Sequence, residues 1–350
     1  MLRNYFQRVG RFSDGSGTIM YRAGSLLSLL ILIGSGLWVL TVFAFRGNGS
    51  LLTLASLAFV FGLRHAMDAD HIAAIDSITR RLLDDGSPRI SVGLTFSLGH
   101  STVVIALSLV LILSVRQVRT SLTHLMTFGG IFGGAVSALL LLVMGGANLA
   151  ALWKSICSSR ENTDHPVAAN TGLSAGAGFF TLLLLGRVLG LIDSNWKIYG
   201  IGFLFGLGFD TASEIAILVI SAGAASRGMP LWHCLLFPLL FTSGMTLIDT
   251  LDNILILSAC KWALATPRGT RYYNAAMTLT TVFMALGIAV IEAWGLFLPA
   301  GSGGVQQDAI ITWVTILNTH FAAIGAIFIA VTAGIWLSLC MLYRLRSLSG

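Results

Sequence analysis

Charge is what this 350-residue chain has least of. Asp, Glu, Lys and Arg together make up 10% of it, where an ordinary soluble domain carries about 25%. So few charges cannot coat the water-facing surface of a soluble body this size, which excludes a soluble enzyme. Disorder is excluded as well, because hydrophobic residues reach 55% and disordered chains are poor in them. Cysteine is scarce. Cys157, Cys234, Cys260 and Cys340 stand alone with no CxxC pair, so neither a disulfide frame nor a zinc finger is implied. There is no Walker A sequence, hence no use of ATP by this chain and no sign of an ATPase subunit. A histidine run is missing, which excludes a metal-buffering tail. Short alternating strands of the outer-membrane barrel type are also missing.

What is present is apolar sequence, with a mean hydropathy of +0.85. A membrane helix needs roughly 20 mostly apolar residues. Eight stretches qualify: 24–45, 51–74, 92–115, 126–153, 200–223, 231–258, 273–298 and 311–340. Glycine is abundant, at 39 residues, as suits helices that approach closely in lipid. The net charge of +6 lies between the apolar runs, so it points to the bilayer and not to nucleic acid. With eight spans and a cytoplasmic N-terminus, the inside segments hold 16 Lys and Arg and the outside loops 4. A ninth span at 172–193 would give 10 inside against 9 outside, so that stretch reads as an interfacial helix. The expected fold is an all-α, eight-span helical bundle in the cytoplasmic membrane, with both termini cytoplasmic. Its parts are a cytoplasmic segment at 1–23, spans one to four in 24–153, a cytoplasmic loop at 154–199, spans five to eight in 200–340 and a tail at 341–350. The first span has a basic leader but no small-residue cleavage site, and reads as a retained helix.

Seven of the fifteen acidic residues fall inside spans: Asp68, Asp70, Asp210, Glu214, Asp249, Asp252 and Glu292. A charge at the bilayer centre costs about 2.5–3.5 kcal/mol on insertion scales. Six of these acids crowd three spans that carry a single basic residue, Arg64. Protonation or a bound cation must offset them. On one continuous helix, His65, Asp68 and His71 share an arc of about 120°, with Asp70 roughly 100° further round. Imidazole with carboxylate suits divalent nickel, cobalt or zinc better than calcium or magnesium. The bland alternative is polar glue between helices. His100 lies in span three. Asp210 and Glu214 (i, i+4) share a face of span five, and Asp249 and Asp252 (i, i+3) share one of span six. Glu292 and Asp76 read as snorkelling or capping groups near span ends.

The chain also repeats itself. Phe59-Val60-Phe61-Gly62-Leu63 matches Phe203-Leu204-Phe205-Gly206-Leu207, and Phe96-Ser97-Leu98-Gly99-His100-Ser101 matches Phe241-Thr242-Ser243-Gly244-Met245-Thr246. Spans two and three thus pair with five and six. An odd number of intervening spans makes the copies inverted, a recurrent plan of secondary transporters with a site near the midplane. The repeat sets Asp70 opposite Glu214 and His100 opposite Met245, whose sulfur offers a soft ligand.

At these residues the sequence resembles the nickel/cobalt transporter family. The carriers are Arg64-His65-Ala66-Met67-Asp68-Ala69-Asp70-His71, Leu98-Gly99-His100-Ser101, Leu207-Gly208-Phe209-Asp210-Thr211-Ala212-Ser213-Glu214, and Gly244-Met245 through Asp249-Thr250-Leu251-Asp252. Ser213 stands where the family usually has Thr, and Asn253 where it has Gly. The resemblance implies uptake of Ni²⁺ or Co²⁺, with no cofactor and no partner beyond the ion and the lipid. It implies a core site of His65, Asp70 and His71 with His100 from a second helix. Asp210, Glu214, Asp249 and Asp252 complete the site or line the path, and Met67 and Met245 are optional soft ligands. Uptake should fall as protons compete for the imidazoles. An exporter branch resembles the same spans but tends to carry a histidine-rich loop, which 154–199 lacks. Two enzyme readings compete. His65-x4-Asp70 fits a glycerolipid acyltransferase core, but that chemistry needs an interfacial site. A zinc-dependent intramembrane hydrolase shares the ligands but needs a general base and an open coordination position. A structural scaffold leaves seven intramembrane acids without a reason.

Overall fold

A computed structural model describes residues 16–84, 86–114, 194–208, 212–264 and 270–297, much of 131–153 and a few positions between 320 and 334. The elements among the described residues are helices: α1 (Ser16–Ala44), α2 (Gly49–His65), α3 (Ala69–Asp84), α4 (Val92–Ser114), α5 (Asn195–Gly206), α6 (Ala212–Ser226), α7 (Leu231–Leu264) and α8 (Thr270–Phe297). Three stretches are long and apolar enough to cross a membrane: Tyr21–Ala44, Val92–Leu113 and Leu231–Ser258. They are the expected spans one, three and six. Shorter apolar helices cover Gly134–Ala150 and Thr278–Trp294, inside expected spans four and seven. The first fifteen residues, the stretch 172–193 expected to be an interfacial helix, and the tail lie outside the described residues.

Spans two and five differ from the expectation of continuous helices. The stretch expected as span two is a pair of helices, α2 and α3, bent by 51° at the break. The Ala66 N–H still donates to the Gly62 carbonyl at 3.2 Å, but the Met67 N–H turns to Arg64 at 3.0 Å and the Asp68 N–H to His65 at 2.9 Å. This tightening to i, i−3 bonds ends the helix. The Asp68 carbonyl then accepts from the Ile72 N–H at 3.3 Å and starts α3. The single arc expected for His65, Asp68 and His71 therefore does not exist. The segment Ala66-Met67-Asp68 contains neither Pro nor Gly, so nothing in the composition marks the break. Span five stops in the same way. The Leu207 N–H donates to Leu204 and the Gly208 N–H to Phe205, and α6 begins at Ala212. Asp210, an expected ligand, lies outside the described residues.

Bare backbone contacts hold the helices together. A Cβ on Gly62 would strike the Phe241 backbone, and one on Gly202 would strike that of Phe96. Gly244 is seated likewise on Phe59, and Gly99 on Tyr199. So α7 lies directly on α2, and α5 directly on α4, as small residues allow in lipid. Two apolar clusters form around these contacts. One contains Ile75, Ile78, Phe96, Leu141 and Ile198. The other contains Phe45, Val104, Ile217, Phe237, Phe241 and Met245.

Two acids expected at span ends as snorkelling or capping groups are buried instead. Asp76 sits within α3, which runs well past the expected end of span two. It accepts from Arg80 Nε at 2.8 and 2.9 Å and from the Thr281 hydroxyl. Glu292 is buried and accepts from Ser137 Oγ at 3.3 Å. Beside the Asp76 pair, the Thr79 hydroxyl donates to Asn253 Oδ1 at 2.8 Å, and Asn253 Nδ2 donates to the Arg89 carbonyl at 3.3 Å. This polar layer ties α3 to α7 and α8.

Candidate metal centre

The two helix breaks bring separate parts of the chain to one place. His65 ends α2, His71 lies in the first turn of α3, His100 is one turn beyond Phe96 in α4, and Glu214 lies in the first turn of α6. All four are removed from solvent, at 1%, 0%, 2% and 0% exposure. The three imidazoles pack as a trio with ring centroids 4.6, 4.8 and 4.9 Å apart. One nitrogen from each ring lies within 4.8 Å of the others.

Three donors are closer still. His65 Nε2 and His100 Nε2 are 3.1 Å apart, and Glu214 Oε1 stands 2.7 Å from the second and 3.5 Å from the first. Two imidazole nitrogens this close share either an N–H···N hydrogen bond or a metal ion held by both lone pairs, and the carboxylate can accept the N–H or balance the ion's charge. Donors about 2.1 Å from one ion stand about 3.0 Å apart at a right angle and about 3.4 Å apart at the tetrahedral angle. Of the three observed separations, 3.1 Å lies in that range, 3.5 Å just above it and 2.7 Å below it, at hydrogen-bond distance. His65 also sits at the C-terminus of α2, where the helix dipole favours a cation.

Carboxylates stand behind the rings. His65 Nδ1 lies 3.1 Å from Asp68 Oδ2, and His71 Nδ1 lies 3.4 Å from Asp249 Oδ2. A carboxylate on Nδ1 holds the proton there and turns the Nε2 lone pair toward an ion. His71 Nε2 is buried and has no hydrogen-bond partner among the described residues. Ser97 donates to the same Asp249 oxygen at 2.5 Å, which fixes that carboxylate in turn.

The expected site residues therefore separate. The structure brings His65, His71, His100 and Glu214 together and sets Asp68 and Asp249 against the histidines. Asp70 and Asp252 are buried near this region on α3 and α7, each with one oxygen lacking a hydrogen-bond partner. Met245 is packed in the apolar cluster with Phe237 and Phe241. Sequence reasoning gave no role to Ser97, Phe96 or Phe241. Their signal was there, because all three lie in the matched repeat segments.

A family model described as "High-affinity nickel-transport protein", NicO, matches residues 51–342. The chain is 39% identical over 324 residues to the high-affinity nickel transport protein of Cupriavidus necator, covering 92% of this chain and 91% of that one. It is 38% identical over 271 residues to the high-affinity nickel-transport protein NixA of Helicobacter pylori, covering 76% and 80%. It is 36% identical over 284 residues to the cobalt transport protein NhlF of Rhodococcus rhodochrous, covering 79% and 80%. No solved structure gives a significant match. The buried donor cluster, the apolar helices and a family match over most of the chain agree: the chain belongs to the NicO family of high-affinity nickel-transport proteins.

Proposed function

We propose that this chain is a secondary transporter that takes up Ni²⁺ or Co²⁺ across the cytoplasmic membrane and is not an enzyme. Relatives named as nickel transporters and one named for cobalt support the substrate class. The observation that carries the reading is the buried trio of donors from α2, α4 and α6, with His65 Nε2, His100 Nε2 and Glu214 Oε1 between 2.7 and 3.5 Å apart. In this reading His65, His100, Glu214 and His71 hold the ion in transit. Asp68 and Asp249 orient two of the imidazoles. Asp70 and Asp252 offer carboxylate oxygens along the way, and Asp210 belongs to the same path. The interior-negative potential drives a divalent ion inward, at about 2.3 kcal/mol per charge per 100 mV.

Eight spans with cytoplasmic termini belong to the proposal, on the strength of the Lys and Arg distribution. So does an inverted repeat. Its support is that both matched spans are interrupted just after the Phe-Gly-Leu match. Asp70 and Glu214, paired by the repeat, also open the second half-helix in each copy. The swapped contacts agree, with span two lying on span six and span five on span three.

The test is accumulation of ⁶³Ni²⁺ or ⁵⁷Co²⁺ in cells carrying the wild type, His65→Ala, His100→Ala or Glu214→Gln. Wild-type cells should accumulate the ion, and each variant should fall to the background of cells without the protein. Wild-type uptake by all three variants would reject the centre. Metal-dependent efflux would place the chain among exporters.

A further inference from the structure

Two phenylalanines pack against different histidines of the trio. The Phe241 ring lies against His65, with centroids 5.4 Å apart. The Phe96 ring stands edge-on to His71 at 5.1 Å. His65 is the last residue of α2 and His71 is in the first turn of α3, so the rings flank the helix break from its two sides. Both phenylalanines are fully buried, Phe96 in one apolar cluster and Phe241 in the other. The polar centre thus sits where the two clusters meet, with one aromatic ring of each cluster over it.

The two residues are also equivalent by sequence. Phe96 begins one matched segment and Phe241 begins its counterpart. Each also rests on a glycine of a neighbouring helix, Phe241 on Gly62 and Phe96 on Gly202, although the repeat itself pairs Gly62 with Gly206, whose added Cβ would meet His100. A glycine seat fixes each backbone against a neighbouring helix, so any movement of the side chain falls to rotation of the ring. A hydrated divalent ion cannot pass between an imidazole and a ring packed against it, so an ion at the centre cannot leave past either phenylalanine unless that ring moves.

We propose that Phe241 and Phe96 are the two gates of the ion path, the first closing the centre toward α2 and the second toward α3. In the eight-span topology α2 is the outer half of span two and α3 the inner half, so Phe241 faces outward and Phe96 faces the cytoplasm. This inference rests on the proposed function, because it takes the trio as the ion's resting place.

The experiment is ⁶³Ni²⁺ release from the full chain in oriented membrane vesicles, loaded in the cold and chased with an impermeant chelator on one side. Wild type should release slowly to either side. Phe241→Ala should release at least about tenfold faster to a chelator on the periplasmic face only, within the range by which interface truncations change dissociation rates. Phe96→Ala should do so on the cytoplasmic face only. The double variant should leak nickel down its gradient. Phe→Leu variants, which keep an apolar side chain, carry the same test with smaller increases should the Ala forms fail to accumulate. Single variants with wild-type release, or both releasing to the same face, would overturn the gates. Failure of the underlying reading looks different: wild type would then hold no nickel that His100→Ala loses.

Discussion

At the scale of residues, the centre depends on which nitrogen each imidazole turns inward. Asp68 on His65 Nδ1 and Asp249 on His71 Nδ1 make that choice. Outer carboxylates of this kind are typically worth 10–100-fold in metal affinity. Asp68→Asn and Asp249→Asn should therefore weaken nickel binding by about 10–100-fold, read by titration calorimetry on the purified protein, while leaving the donors in place. Unchanged affinity in both would mean that the carboxylates do not orient the rings. The histidines themselves were legible from the sequence, because two imidazoles and their carboxylates inside an apolar span have few other uses. The division between inner donors and the groups behind them was not. Spacing on an ideal helix set Asp68 on the histidines' arc and Asp70 about 100° further round, while the family resemblance put Asp70 in the core, and neither showed that Asp68 stands on His65 Nδ1. Glu214 was legible as an acid out of place, but its contact with His100 depends on a fold that joins residues 114 apart in the chain.

At the scale of elements, hydropathy located spans one, three and six and missed the interruption of two and five. A sum over a window records composition and is blind to a change of backbone direction between two apolar helices. The helix also runs past the expected end of span two, to Asp84, which hydropathy did not show because Asp76, Thr79 and Arg80 look like a loop until Arg80 is seen to pair with Asp76 and Thr79 to bond Asn253. Asp76 and Arg80 are a buried ion pair, and breaking such a pair by removing one partner costs about 3–5 kcal/mol. Asp76→Ala should accordingly lower the thermal midpoint of the detergent-solubilised protein sharply. A midpoint within a degree or so of wild type would show that Arg80 finds another partner at no cost. The glycine seats make a second prediction. Gly62→Val and Gly202→Val force apart helices in backbone contact and should destabilise by about 1–3 kcal/mol or more, as overpacking does. Gly36→Ala and Gly49→Ala, where an added Cβ meets nothing within 4 Å, serve as controls. Equal thermal midpoints for the two sets would remove the seats from the account.

At the scale of the whole molecule, a polar centre is enclosed by two apolar clusters and reached through helices that are interrupted at matching points. An ion crossing such a body carries two charges through the membrane field. Imposing an interior-negative potassium diffusion potential on vesicles should therefore raise nickel uptake, because each 100 mV supplies about 4.6 kcal/mol to a divalent ion. Uptake indifferent to the potential would mean that compensating charge moves with the metal. The measurement that bears most directly on the centre is nickel K-edge X-ray absorption of the loaded protein. The arrangement of His65, His100 and Glu214 predicts a shell of nitrogen and oxygen with imidazole scattering that diminishes in His65→Ala and in His100→Ala. A sulfur ligand at about 2.3 Å, or a spectrum that neither substitution changes, would contradict it.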